Sequence, residues 1–194
     1  KQFDEFFGRI MKSDSVLLKS VMIERMNRFL HNEIENPERQ IQKIMFLEKY
    51  FEETISLTCG DIRFGYIVDR VDFMRDGTVM IIDYKTGGAD LMPRNIEYLR
   101  NMELTRENVR DHIKSFQIPL YYHYLHNAFP DQTINAALYN LRTLKFTKFI
   151  DKKTKHQREQ VNEVFLRALD FVISEILDPN VPFSSEESYL ALQD

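Results

Sequence analysis

In the stretch "VDRVDFMRDGTVMIIDYKTGG", Val68 to Gly88, three residues are of types that act on phosphates when they meet: Asp69, Asp83 and Lys85. Carboxylates are hard oxygen ligands suited to magnesium or manganese, which often take only one or two of them and fill the remaining positions with water and substrate phosphate. A lysine beside such a metal can position or deprotonate the attacking water, or neutralise charge on a pentavalent phosphorus. The trio therefore suits phosphodiester hydrolysis. A solvated salt-bridge cluster on a half-exposed sheet is the other reading, and short acidic motifs alone do not separate the two.

Whether the three side chains meet is a question of register. Ile62 to Phe73 and Thr78 to Tyr84 are rich in β-branched and aromatic residues and read as strands joined by a turn containing Asp76-Gly77. Strand alternation puts Asp83 and Lys85 on one face and Tyr84 on the other. A two-residue loop would set Arg70 opposite Asp83 and leave Asp69 on the wrong face. A three-residue loop, Arg75-Asp76-Gly77, sets Met74 opposite Thr78 and Asp69 opposite Asp83, with Gly77 where a type I turn with a G1 bulge needs a left-handed residue. The glycine favours the second register. Two opposed carboxylates repel, a cost without structural gain unless something positive lies between them.

Around this hairpin the chain reads as alternating helices and strands. Ser13-Asp14-Ser15 offers a helix cap, and Val16, Leu17, Val21, Met22, Met26, Phe29 and Leu30 recur at helical spacing, predicting a core-facing stripe. After Asn36-Pro37, Ile44 to Leu57 fits either helix or strand. Gly87-Gly88 ends the hairpin, and Ala89 to Asn101 is irregular. Thr105 starts a helix expected to run to about Asn127 with a kink at Pro119. Phe129-Pro130-Asp131 is a turn, Thr133 to Leu144 a strand, and Gln157 to Leu177 a closing helix. That helix would pack inward through Val161, Val164, Phe165, Leu169, Val172, Ile173 and Ile176. The expectation is one α/β or α+β domain with a mixed sheet flanked by helices.

Composition narrows the function classes. A chain of 194 residues, 43% hydrophobic, can bury one good core, and no stretch reads as a signal peptide or membrane span. The expectation is a soluble, cytoplasmic domain. Twenty-six basic against 30 acidic residues leave a formal charge of -4, so any nucleic acid must be held by a local patch. The segment from Arg142 to Arg158 supplies a candidate: Arg142, Lys145, Lys148, Lys152, Lys153, Lys155 and Arg158, opposed only by Asp151 and interleaved with Phe146 and Phe149. Such a segment can track phosphates and stack on bases, or simply be a solvated loop. Cys59 is the only cysteine, which excludes an intrachain disulfide and a cysteine zinc site and fits a reducing compartment.

"VDRVDF", "IIDYKTGG" and, further on, "FQIPLYYHYL" resemble the nuclease domain of the RecB and AddB group within the PD-(D/E)xK superfamily. The resemblance runs in order over roughly Ile44 to Leu144 and implies a restriction-endonuclease-like mixed sheet flanked by helices. It makes Asp69 and Asp83 ligands of magnesium or manganese, with the backbone carbonyl of Tyr84 as a third. Lys85 would act on the attacking water. Gln117 and Tyr121, four apart and so on one helical face, would contact DNA or hold the lysine in place. An upstream glutamate is also usual in the family: Glu48 is the better candidate and Glu53 the second.

Three departures accompany the resemblance. Gly65 stands four residues before Asp69, with Tyr66 in the usual glycine place. Many members carry a metal-binding histidine on an N-terminal helix, whereas His31 lies late in its helix and is expected to be an ordinary surface residue. The tail "DPNVPFSSEESYLALQD" resembles the segment before an iron–sulfur cysteine cluster in some relatives, and Cys59 alone builds no such cluster. The expected layout is a single nuclease domain over 1–194, a fragment of a larger protein, with N-terminal helices in 1–36, the nuclease core in 44–144 and the closing helix in 157–177. The expected activity is metal-dependent DNA cleavage in a bacterial helicase–nuclease of double-strand-break repair, partnered by a helicase domain or subunit. The competing expectation is a nuclease-like scaffold that binds DNA or a helicase without cutting.

Overall fold

A computed structural model describes residues 13–36, 39–87, 92, 96–150 and 155–182. Its elements run α1 (Ser13–Glu35), β1 (Ile41–Leu57), β2 (Gly60–Met74), β3 (Thr78–Lys85), α2 (Ile96–Asn101), α3 (Arg106–His112), α4 (Gln117–Ala128), β4 (Thr133–Asn140), β5 (Lys145–Lys148) and α5 (Lys155–Leu177). The strands form one sheet in the order β1-β2-β3-β4-β5. Three pairings are antiparallel and β3–β4 is parallel. A parallel neighbour cannot be reached by a tight turn, so the chain crosses from β3 to β4 through α2, α3 and α4. This is the mixed sheet flanked by helices that the sequence predicts.

Each face of the sheet has its own core. Val71, Val79, Ile81, Ile134, Ala136 and Leu138 are buried against Leu99, Val109, Ile118, Tyr122 and Leu125 of the crossover helices and Val161 and Phe165 of α5. On the other face Met74, Met80, Ile82, Ala137 and Tyr139 form a smaller cluster that Phe29 of α1 covers. The Phe29 ring centroid lies 5.3 Å from that of Tyr139 and 5.9 Å from that of Tyr84.

The hairpin follows the three-residue loop. Phe73 pairs with Val79, Val71 with Ile81 and Arg70 with Ile82, the register that sets Asp69 opposite Asp83. Gly77 has φ +82, the left-handed conformation this loop requires, and its N–H donates to Met74 O at 3.0 Å.

Of the two readings left open for Ile44 to Leu57, the strand is the one found: it lies within a 17-residue β1 paired along its length with β2. Other expectations are corrected. The stripe on α1 is not core, because Val16, Leu17, Met22, Met26 and Leu30 are exposed. Among the described residues, its C-terminal end docks on the sheet through Phe29, Asn32 and Glu33; Asn32 Nδ2 donates to Tyr139 OH at 2.6 Å. Amphipathic spacing identifies a helix but not whether a partner surface exists for its face.

The single helix from Thr105 to Asn127 is two. Thr105 does cap α3, its side chain accepting from Asn108 N, but the backbone leaves helical geometry at Ile113. Ser115 Oγ then accepts from Gln117 N at 3.1 Å as α4 begins. Pro119 lies in the first turn of α4, where its missing N–H costs nothing, so it makes no kink. The strand predicted to Leu144 stops at Asn140, whose Oδ1 accepts from Arg142 N (3.0 Å) and Thr143 N (2.9 Å) and turns the chain into β5. On α5, Ile176 is exposed while Val161, Val164, Phe165 and Leu169 are buried.

Candidate active site

At the end of β3 the ladder to β2 runs no further than Arg70–Ile82. The next residues are tied by side chains. Asp69 Oδ2 accepts the Tyr84 backbone N–H at 2.7 Å, bridging the two strands where their backbones part. Lys85 Nζ lies 2.7 Å from Asp83 Oδ2 and donates to Gln117 Oε1 at 2.9 Å. Gln117 Nε2 donates to Tyr121 OH at 3.0 Å, and Tyr121 OH donates to Ile67 O at 2.9 Å. One chain of contacts therefore runs from Asp83 through Lys85, Gln117 and Tyr121 back to β2. All five residues singled out in the sequence lie at this corner, where the crossover returns α4 across the end of β3.

Electrostatics at the corner follow from burial. Asp83 is 3% exposed, and burial pushes its carboxyl above the ordinary aspartate range; Lys85 opposes the shift and the nearby Asp69 charge adds to it. Its Oδ2 pairs with the Lys85 ammonium at 2.7 Å and has no further hydrogen-bond partner. Tyr121 is raised above its ordinary value by burial, against the Gln117 bond and with the charges of Asp83 and Asp69 adding. It stays protonated and acts as a donor to Ile67 O.

A buried carboxylate oxygen whose one partner is an ammonium, next to a second carboxylate on the neighbouring strand, fits a divalent cation. Among the described residues no group of three or more His, Cys, Asp or Glu side chains converges. Any further ligands would be oxygens of backbone, water or substrate, the set that magnesium and manganese accept.

The remaining candidates stand in different surroundings. Glu48 falls opposite Asp69 in register, between the pairs Leu47–Arg70 and Lys49–Val68, but it is exposed with φ +46 and joins no acidic cluster. Glu53 is engaged by α4: Asn127 Nδ2 donates to its Oε1 at 2.9 Å and His123 Nε2 lies at 3.4 Å. His31 is an exposed residue paired with Glu35 at 2.9 Å. Arg142 and Lys145 are exposed and Lys148 half-buried around β5, while Lys152, Lys153 and the side chains of Lys155 and Arg158 lie outside the described residues. Phe149 is buried and Phe146 packs edge-on against Tyr139 at 5.4 Å, so neither is placed to stack on a base.

Sequence reasoning missed a second charged group on the opposite face of the same hairpin. Glu33 of α1 accepts from Arg39 Nε at 2.9 Å and Nη2 at 3.1 Å, and from Arg70 Nη1 at 2.8 Å. Arg70 Nε donates to Asp72 Oδ1 at 2.7 Å and Arg70 Nη1 to Tyr84 OH at 3.1 Å. The Arg39 guanidinium also lies over the Phe146 ring at 4.5 Å. Burial pushes the Asp72 carboxyl upward, partly offset by Arg70 and Arg39. The signal was present: Arg70 and Asp72 flank Val71 and share one face of a strand, opposite the apolar Ile82 and Met80 of β3.

The fold and this corner define a restriction-endonuclease-like domain. The chain matches the PD-(D/E)XK nuclease superfamily over residues 7–188 and belongs to it. Among solved structures, one titled "Crystal structure of SSO0001" aligns over 99% of this chain and 77% of its own, at 11% identity and a TM-score of 0.34. No curated protein matches the sequence. Among the described residues no helix is long and apolar enough to cross a membrane.

Proposed function

We propose that the chain is a magnesium- or manganese-dependent deoxyribonuclease, the RecB- or AddB-like nuclease module of a helicase–nuclease that acts in double-strand-break repair. The observation that carries the reading is the convergence of Asp69, Asp83 and Lys85 at the parting of two strands, with an Asp83 oxygen buried and paired with the ammonium alone. Superfamily membership supports nuclease chemistry in particular.

Asp69 and Asp83 hold the cation, with the carbonyl of Tyr84 available at the same corner. When bound, the metal supplies Lewis-acid stabilisation of the phosphate and a nucleophilic water. Lys85 presents its ammonium to the scissile phosphate, where it orients the attacking water and neutralises charge that builds on phosphorus. Gln117 fixes Lys85, and Tyr121 fixes Gln117 by anchoring it to the β2 backbone. Arg142, Lys145 and Lys148, with Lys152, Lys153, Lys155 and Arg158, bind DNA phosphates.

The test is cleavage of single- and double-stranded DNA, linear and circular, with and without manganese, beside folded Asp83→Ala and Lys85→Ala proteins. Metal-dependent cleavage lost in both variants supports the reading. No cleavage and no Asp83-dependent manganese binding would support a non-catalytic scaffold for DNA or a helicase instead.

A further inference from the structure

The two faces of the β2–β3 hairpin alternate residue by residue. Asp69 is followed by Arg70, and Asp83 and Lys85 enclose Tyr84, so the buried charge group on the far face is one peptide from the candidate metal ligands. Arg70 is the hub. It reaches Asp72 on its own strand, Tyr84 OH on β3 and Glu33 on α1, at 2.7, 3.1 and 2.8 Å. The Arg70–Tyr84 bond lies beyond the last ladder pair, at the point where Asp69 Oδ2 takes the Tyr84 N–H.

From this arrangement we propose that Glu33 is a positioning residue for Asp69 and Asp83, acting from the opposite side of the sheet through Arg70 and Tyr84. The proposal rests on the metal-site reading above. Side chains on loosely joined strand ends rotate; the Glu33–Arg70–Tyr84 relay fixes the Tyr84 peptide, and through it the Asp69 carboxylate and its distance from Asp83. The group is balanced, two guanidinium ions against two carboxylates, with Arg39 Nη1 and Asp72 Oδ2 already lacking hydrogen-bond partners. Glu33 has no substitute within it: without that carboxylate two buried arginines share Asp72 alone, and Arg70 is drawn from Tyr84 toward it. The N-terminal helix thus has a task beyond covering the second core: it meets the hairpin here through Phe29 on Tyr84 and Glu33 on Arg70, while Asn32 bonds Tyr139 of the neighbouring β4.

Two readouts separate positioning from plain stabilisation. In the metal-free protein, hydrogen exchange of the Tyr84 amide, which donates to Asp69, is compared with that of Ile81, buried in the middle of the same strand. In Glu33→Gln the Tyr84 amide exchanges faster while Ile81 is unchanged, and manganese binding weakens by about 10- to 100-fold, the usual effect of losing a partner behind a ligand. Tyr84→Phe removes one hydroxyl, leaves every charge in place and, by cutting the last link of the relay, gives the same selective pattern with a comparable loss. It keeps the test decisive if Glu33→Gln does not fold. Equal acceleration of both amides, or an unchanged Tyr84 amide, overturns the proposal. Manganese binding by the unsubstituted protein that is indifferent to Asp83→Ala overturns the nuclease reading instead, and the exchange result reports on Glu33 separately.

Discussion

Replacing Gln117 by leucine separates two tasks that its position allows, contact with DNA and support of Lys85. The side chain bridges Lys85 Nζ at 2.9 Å and Tyr121 OH at 3.0 Å. Leucine is close in volume and keeps the helix, while Tyr121 retains its bond to Ile67 O. Lys85 is left with Asp83 alone as its partner in this chain of contacts. A hydrogen bond to a charged group is worth about 1.5–3 kcal/mol. The Lys85 side chain is 29% exposed, so water replaces part of this, and about 1–2 kcal/mol remains. At about 1.36 kcal/mol per decade, kcat falls about 5- to 30-fold with KM for DNA unchanged. Lys85→Ala costs about 10²–10⁴. In the double variant the Gln117 change adds almost nothing, because the group it held is gone. A fluorescent oligonucleotide cleavage assay at saturating manganese reads all four proteins. A KM effect with kcat intact, or an equal loss in the Lys85→Ala background, would refute support of the lysine and assign Gln117 to DNA.

Because burial holds the Asp83 carboxyl above the ordinary range, protons compete with metal there at higher pH than for a typical aspartate. Manganese affinity should therefore fall on acidification before the ordinary aspartate range is reached; titrations over a pH series that stay flat to that range would contradict this. In the metal-free protein the sign for stability is opposite. A carboxyl raised in the folded state binds more protons there than when unfolded, so stability rises as pH falls through the window between the ordinary and the raised value. Asp72 contributes in the same direction, and Asp83→Asn removes only its own part of the rise, as urea unfolding over pH measures. Gly77→Ala places a side chain at φ +82 in open space, so its cost is backbone strain alone, about 1–2 kcal/mol, read as a lower urea midpoint with unchanged slope. Replacing Arg142, Lys145 and Lys148 together should flatten the log–log salt dependence of DNA affinity by about 0.9 for each side chain that meets a phosphate; an unchanged slope would remove β5 from the DNA-binding surface.

The sequence by itself determined the hairpin and its chemistry. Strand alternation and the glycine demanded by a three-residue loop are local rules, and they were enough to set Asp69 across from Asp83 with Lys85 on the same face. The four-residue spacing of Gln117 and Tyr121 likewise placed both on one face of α4. Tertiary structure decided what lies against each face. Whether the α1 stripe is buried depends on a surface contributed by distant strands, and Phe29, with Asn32 and Glu33 beyond it, finds one. The start of α4 and the end of β4 were set by side chains, those of Ser115 and Asn140 accepting from backbone groups in a way that periodicity cannot register. Glu33, Arg39 and the β2 pair Arg70 and Asp72 come from three stretches of the chain, and the strand charges become part of a buried group only when Glu33 and Arg39 arrive from elsewhere. Local pattern sets orientation; the partners of a buried charge are fixed by the assembled fold.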